Sequence, residues 1–323
     1  MTEPTSHDHH PTHPPGHAHG RGHGHDHVVS ADADVRYLGV ALGLIVAFMS
    51  VEVIVAFAAG SLALLADAGH MLTDAAAIAV SIWAVRLAAR PARGSWTFGW
   101  KRAEILTAAG NGITLLLVSA LVTFESIRRL IDPPPVAGLA VLVVALVGVA
   151  VNVAATIVLS KANRGSLNIE GAFQHILTDL YGFIATVIAG MVILASGFRR
   201  ADSIASLIVV ALMLRAAWGL LRDSGRVLLE AAPKGVNLDE VRAHLLETEH
   251  VTDVHDLHVW TVTSNLPALS AHVIVDDSCF CDGHAPALLD RLQHCLTGHF
   301  DVQHSTFQFE SLGHAAHEAG THL

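Results

Sequence analysis

Charge is scarce in this sequence. Only 15% of its 323 residues are charged, against about 25% in an ordinary soluble domain. The hydrophobic share is 52%. That excludes a disordered or collagen-like chain and argues against a wholly soluble enzyme. Cysteine is scarce as well, with only Cys279, Cys281 and Cys295 present. An odd number, two of them two positions apart, is not a disulfide framework and suits a reducing compartment. The start lacks the basic stretch, apolar run and small-residue cleavage site of a signal peptide, so none is expected. Basic residues run out toward the end. From Arg226 onward there are 4 basic and 14 acidic residues, which accounts for the whole net charge of −10. So acidic a segment argues against nucleic acid as a partner.

What the sequence has in plenty is long apolar runs and histidine. Six apolar stretches reach or approach the roughly 20 residues that span a bilayer. They run about Tyr37–Ala59, Ser61–Ala89, Ala103–Ile131, Val136–Ser160, Gly171–Gly197 and Ala201–Leu221. Six spans put both termini on one side of the lipid bilayer. Eleven Lys and Arg residues fall on the terminal side, against Arg128, Arg129, Arg199 and Arg200 on the other. That bias predicts cytoplasmic termini in the cell (plasma or inner) membrane. The chain accordingly divides into a disordered His-rich arm (1–34), a six-span domain (35–224), a small α+β domain (225–312) and a His-containing tail (313–323). Within the third segment, Leu238–Glu249 and His284–Gly298 read as helices. Val251–Ser264, Ala268–Asp276 and Gln303–Glu310 read as strands. The fold class expected is therefore a membrane α-helical bundle followed by an αββαβ domain.

Two spans carry matching polar pairs. His70 and Asp74 lie in the second, His175 and Asp179 in the fifth, both as H-x-x-x-D. Residues four apart share one helix face. Two such faces in contact supply two nitrogens and two oxygens, a tetrahedral set that suits Zn2+. The competing reading is helix-bridging polar residues. Ionisable groups inside a bilayer cost roughly 2.5–3.5 kcal/mol each, and two matching pairs point to a function that compensates that cost. Asp67 and Glu52 are accessory candidates. Asn111, Glu125 and Asn152 either line a path or bridge helices, and Glu104 reads as interfacial. Gly39 and Gly43 have the spacing of a helix-packing face.

The α+β domain holds His255, His272, His304 and Glu310, a candidate metal site whose alternative is a set of ordinary surface histidines. Strand alternation predicts that His255, Leu257, Val259 and Thr261 share a face. Cys279 and Cys281 form a candidate soft-metal pair. The arm's His7, His9, His10, His13, His17, His19, His23, His25 and His27 have the composition of a loose metal-capture segment, or of a solvated linker. Arg102 and Glu230 are expected to pair and tether the spans to the terminal domain.

These motifs resemble the cation diffusion facilitator family, in its zinc-transporting branch. The resemblance rests on Gly60–Asp74, Phe98–Gly99–Trp100–Lys101–Arg102–Ala103–Glu104, His175–Asp179 and Val254–Trp260, and covers about residues 35 to 312. It implies a homodimeric metal–proton antiporter with six spans and a cytoplasmic metallochaperone-like domain. It implies His70, Asp74, His175 and Asp179 as the transport site, and His255, His272, His304 and Glu310 as cytoplasmic ligands. Some relatives hold another metal between spans two and three. Here 90–101 contains no His, Asp, Glu or Cys, so none is expected there. The expected function is efflux of Zn2+ against protons, with Zn2+ also a bound ligand and no organic cofactor. Export of Cd2+, Co2+ or Ni2+ is the near alternative. A membrane metal sensor or store without transport is the alternative from another class. An intramembrane metalloprotease is disfavoured because H-E-x-x-H is absent.

Overall fold

The computed structural model describes residues 31–59, 62–132, 138–264, 266–281 and 283–314. The arm through His27 and the tail from residue 315 lie outside the described residues, as do the expectations placed on them. Six long helices come first: α1 (Ala31–Ala59), α2 (Leu62–Ala88), α3 (Ala103–Ile131), α4 (Gly138–Leu159), α5 (Leu167–Ser196) and α6 (Ala201–Leu228). All six are long and apolar enough to cross a membrane. Phe57, Leu121, Phe124 and Trp218 point outward with 70–73% exposure. Large apolar side chains displayed on all sides fit a lipid surround.

α1, α5 and α6 extend beyond the apolar stretches, all at the end of the bundle nearest the terminal domain. α1 begins at Ala31, so residues 31–34 are helical rather than part of a disordered arm. α5 begins at Leu167 rather than Gly171, because Ser166 caps it by accepting a hydrogen bond from the Ile169 amide. α6 continues past Leu221 through the polar run 222–226 to Leu228. Hydropathy marks where lipid ends, whereas helix propensity decides where the helix ends.

The bundle core joins Leu38, Ile45 and Phe48 of α1, Met71 and Ile78 of α2, Leu159 of α4, and Ile169 and Ile176 of α5. α3 packs along α6, and α5 contacts α2, α3, α4 and α6. Gly39 and Gly43 have open space where a Cβ would stand, so they make no close helix contact among the described residues. Gly148 is different. A Cβ there would sit 2.5 Å from Phe183 Cδ1 of α5. Gly148→Ala is expected to lower thermal stability by about 1–3 kcal/mol through overpacking. Gly190→Ala on α5, where the nearest atom is at an ordinary 3.7 Å, is expected to be neutral or stabilising. Melting both variants in detergent checks the contrast, and equal midpoints would refute it.

The terminal domain follows as α7 (Leu238–Leu246), β1 (Val251–Thr263), β2 (Leu266–Val275), α8 (Ala285–Phe300) and β3 (His304–Glu310). A single 3₁₀ turn, Asp277–Phe280, separates β2 from α8. The sheet order is β1-β2-β3, with β1–β2 antiparallel and β2–β3 parallel. Both helices cover one sheet face. Val241, Leu245, Leu288, Leu292 and Leu296 bury against Val254, Val259, Ala271, Val273 and Val275.

Strict alternation along β1 fails. The pairing slips between His255 and His258, where Asp256 adopts φ 49°. This bulge shifts side-chain parity by one. Val254 and Val259 therefore both face the helices, and His255, next to Val254, faces away. His255 and Val259 do not share a face as the sequence pattern predicts.

Candidate metal centres

Two polar contacts set how α2 and α5 run past each other. His175 Nε2 lies 2.6 Å from Asp74 Oδ1. Seven residues along each helix, Asn168 Nδ2 donates to the Ser81 carbonyl at 2.9 Å. Advancing by seven on α2 matches retreating by seven on α5, so the helices are antiparallel and in fixed register. Ser81 Oγ also accepts from Asn111 Nδ2 of α3 at 3.2 Å. Asn111 thus bridges helices, while Asn152 donates to the Gly148 carbonyl of its own helix. Glu125 pairs with Arg128 and Arg129 in the last turns of α3.

Asp74, His175 and Asp179 form the first centre. Their ligand atoms all lie within 4.8 Å of one another. Asp74 and His175 are buried, and Asp179 Oδ2 stands 4.0 Å from His175 Nε2 one turn along α5. Two carboxylates and one imidazole converge on a point between two helices. Oxygen and imidazole nitrogen donors so arranged suit a divalent cation. The α2 backbone places His70 one turn before Asp74 on the same helix face. The side chains of His70 and Asp67 lie outside the described residues. Glu52 is buried on α1 and continues the stripe of Ile45 and Phe48; it does not belong to this cluster of ligand atoms.

His255, His272 and Glu310 form the second centre, again within 4.8 Å. The β1–β2 register places His255 opposite His272. Glu310, at the end of β3, lies beside them. Its Oε1 is 2.8 Å from His272 Nδ1 and its Oε2 is 3.3 Å from His255 Nε2. The Glu310 side chain is only 1% exposed. A buried carboxylate facing two imidazoles is a donor set that fits a metal ion. Asp256, on the bulge, adds a carboxylate 3.8 Å from His272 Nε2 and 3.0 Å from His258 Nε2. The sequence pattern did not point to it, because its approach depends on the bulge.

His304 does not join this centre. It begins β3, six residues or about 20 Å of extended strand from Glu310. Its ring packs edge-on against Phe98 of the α2–α3 connection, 5.8 Å between centroids. Cys279 and Cys281 are not brought together as a chelating pair either. The 3₁₀ turn buries Cys279 in the domain core and leaves Cys281 exposed. Burial, with the Glu247 carboxylate nearby, pushes the Cys295 thiol up, so it is no ready thiolate ligand. Arg102 Nη2 does pair with Glu230 Oε1 at 2.8 Å. Both side chains are well exposed, so the pair is a weak contact. Glu104, at the start of α3, accepts hydrogen bonds from Ser166, Thr263 and Ser264.

Six apolar helices followed by a small α+β domain define a multi-pass membrane protein. Residues 38–229 match the model of the cation efflux transmembrane domain. Residues 233–312 match that of the cation efflux protein cytoplasmic domain. The chain belongs to the cation efflux, or cation diffusion facilitator, family, whose members carry divalent metal cations out of the cytoplasm. It is 40% identical to the zinc transporter ZitB of Escherichia coli K12, over 86% of this chain and 88% of that one. It is 36% identical to the cadmium, cobalt and zinc/H(+)-K(+) antiporter of Bacillus subtilis 168, over 87% of this chain and 91% of that one. Among solved structures, the metal-bound C-terminal domain of the CzcD transporter from Cupriavidus metallidurans is 37% identical. It covers 23% of this chain and 99% of that one, with a TM-score of 0.22.

Proposed function

We propose that this chain exports Zn2+ from the cytoplasm in exchange for protons, through His70, Asp74, His175 and Asp179. The observation that carries the reading is the buried 2.6 Å approach of His175 Nε2 to Asp74 Oδ1 across two membrane helices. An imidazole and a carboxylate held so closely bind either a proton or a metal ion. Imidazole must be deprotonated to ligate, so metal and protons compete for one site. Moving two positive charges outward against 100 mV costs about 4.6 kcal/mol, and inward proton flow down the same field offsets it. Rocking of the helices would expose the site to each side in turn.

The reading extends to a homodimer in the cell membrane with both termini in the cytoplasm, and to transport rather than enzyme catalysis. Residues 35–224 would carry the cargo and 225–312 would hold a second zinc ion through His255, His272 and Glu310. The His7–His27 arm would capture metal weakly. The similarity to a zinc transporter, and to an antiporter whose name sets cadmium, cobalt and zinc against H(+) and K(+), supports a metal cargo with protons among the counter-ions. The same antiporter's name keeps Cd2+ and Co2+ as second cargoes.

Flux assays in sealed proteoliposomes with Zn2+, Cd2+, Co2+ and Ni2+ in turn test the ranking. Zinc is expected to move fastest at equal concentration. Binding without flux for any ion would replace the transporter reading with that of a sensor or store.

A further inference from the structure

Glu104 ends the motif Phe98–Glu104 yet belongs to neither metal centre. It opens α3, and its half-buried carboxylate accepts three hydroxyl hydrogen bonds. Oε1 accepts from Ser166 Oγ at 2.6 Å and from Ser264 Oγ at 2.8 Å. Oε2 accepts from Thr263 Oγ1 at 2.6 Å. Both serines also bind the start of α5. Ser166 is its N-cap, and Ser264 Oγ accepts from the Leu167 amide at 3.0 Å. One carboxylate thereby joins the first turn of α3, the first turn of α5 and the end of β1. Hydrogen bonds to an ionised acceptor are about twice as strong as neutral ones.

Further hydrogen bonds hold the start of α5. Asp34 of α1 accepts from the Asn163 amide at 2.9 Å, just before α5. Arg164 holds Glu170 through two hydrogen bonds, at 2.8 and 3.1 Å. α5 then runs unbroken from Leu167 to Ser196. Its start and His175 are eight residues apart, about 12 Å along one rod. β1 carries His255 and, eight residues on past the bulge at Asp256, ends at Thr263. The joint thus lies on a continuous path from the second metal centre to the first.

We propose that Glu104 is a positioning residue for metal transfer, coupling the placement of α5, and with it His175 and Asp179, to the β1–β2 hairpin that carries His255 and His272. The proposal rests on the transport reading above. Arg102–Glu230 is a separate, more exposed contact. Glu104 is the place where a carboxylate of the span region holds the sheet and the metal-bearing helix at once.

The test uses the full chain in proteoliposomes with zinc as the probe. Glu104→Ala is expected to lower maximal flux about tenfold, with half-saturating zinc within about twofold of wild type, since the ligands themselves are untouched. Glu104→Gln keeps one acceptor oxygen for the two serines and leaves the Thr263 hydroxyl free to reverse its role. It should recover at least about half of the flux. A cycle with His272→Ala then separates coupling from scaffolding. His272→Ala should slow the wild type and add little to Glu104→Ala. Should Glu104→Ala fail to reconstitute, the pair Thr263→Val and Ser264→Ala at the hairpin tip should give the same split. Unchanged flux in Glu104→Ala, a raised half-saturating zinc concentration, or independent losses in the cycle would overturn the proposal. No zinc flux in the wild type would instead overturn the transport reading.

Discussion

Alanine in place of Asp74 is expected to abolish zinc flux while the helical bundle stays assembled. Asp74 is the α2 carboxylate of the first centre, and its Oδ1 stands 2.6 Å from His175 Nε2. Removing it takes away one of the donors that converge between α2 and α5. Loss of a group that merely orients a ligand costs roughly 10–100-fold. Loss of a ligand should therefore lower flux by at least about 100-fold. The register of α2 against α5 does not depend on this contact alone. The Ser81–Asn168 hydrogen bond between α2 and α5 remains, as does the core shared by Met71 and Ile78 with Ile169 and Ile176. Reconstituted Asp74→Ala should thus elute and melt like the wild type yet move no zinc. Wild-type flux from this variant would remove Asp74 from the site.

The second large effect is expected from Glu310→Ala. Glu310 is the hub of the terminal-domain centre, because its two oxygens face His272 and His255 separately. In the wild type, zinc at 100 times its Kd for this centre would stabilise the domain by about 2.7 kcal/mol. Losing the carboxylate should weaken binding by at least about 100-fold. The same zinc concentration then adds only about 0.4 kcal/mol. Amide hydrogen exchange along β1, β2 and β3 of the full chain, with and without zinc, reads this centre apart from the others. Equal zinc-induced protection in wild type and Glu310→Ala would exclude Glu310 as a ligand.

Much of this architecture is written in local sequence. Apolar runs of span length mark the six helices. Period-two segments and turn residues mark the αββαβ order, because these signals repeat within a few residues. The H-x-x-x-D spacing puts His175 beside Asp179 on α5 by helix geometry alone. That α5 meets α2 is tertiary, but two matching polar pairs in apolar surroundings have few other ways to be satisfied. The bulge at Asp256 is a different matter. One extra residue reverses the parity of β1, and no local pattern announces it. Residue type and the family resemblance group His304 with His272, whereas the parallel register of β3 sets it beside Ala268. Glu104 bonds to hydroxyls 62, 159 and 160 residues away. Contacts so distant leave no periodic signature, so these partners are not legible from the sequence around Glu104.

The proposed exchange of metal for protons at the α2–α5 centre is tested by recording zinc and proton movement together in sealed proteoliposomes with an imposed pH gradient. Zinc movement should dissipate the gradient in the wild type, and both signals should vanish in His70→Ala. Zinc flux that leaves the gradient undisturbed, or full exchange in His70→Ala, would contradict it.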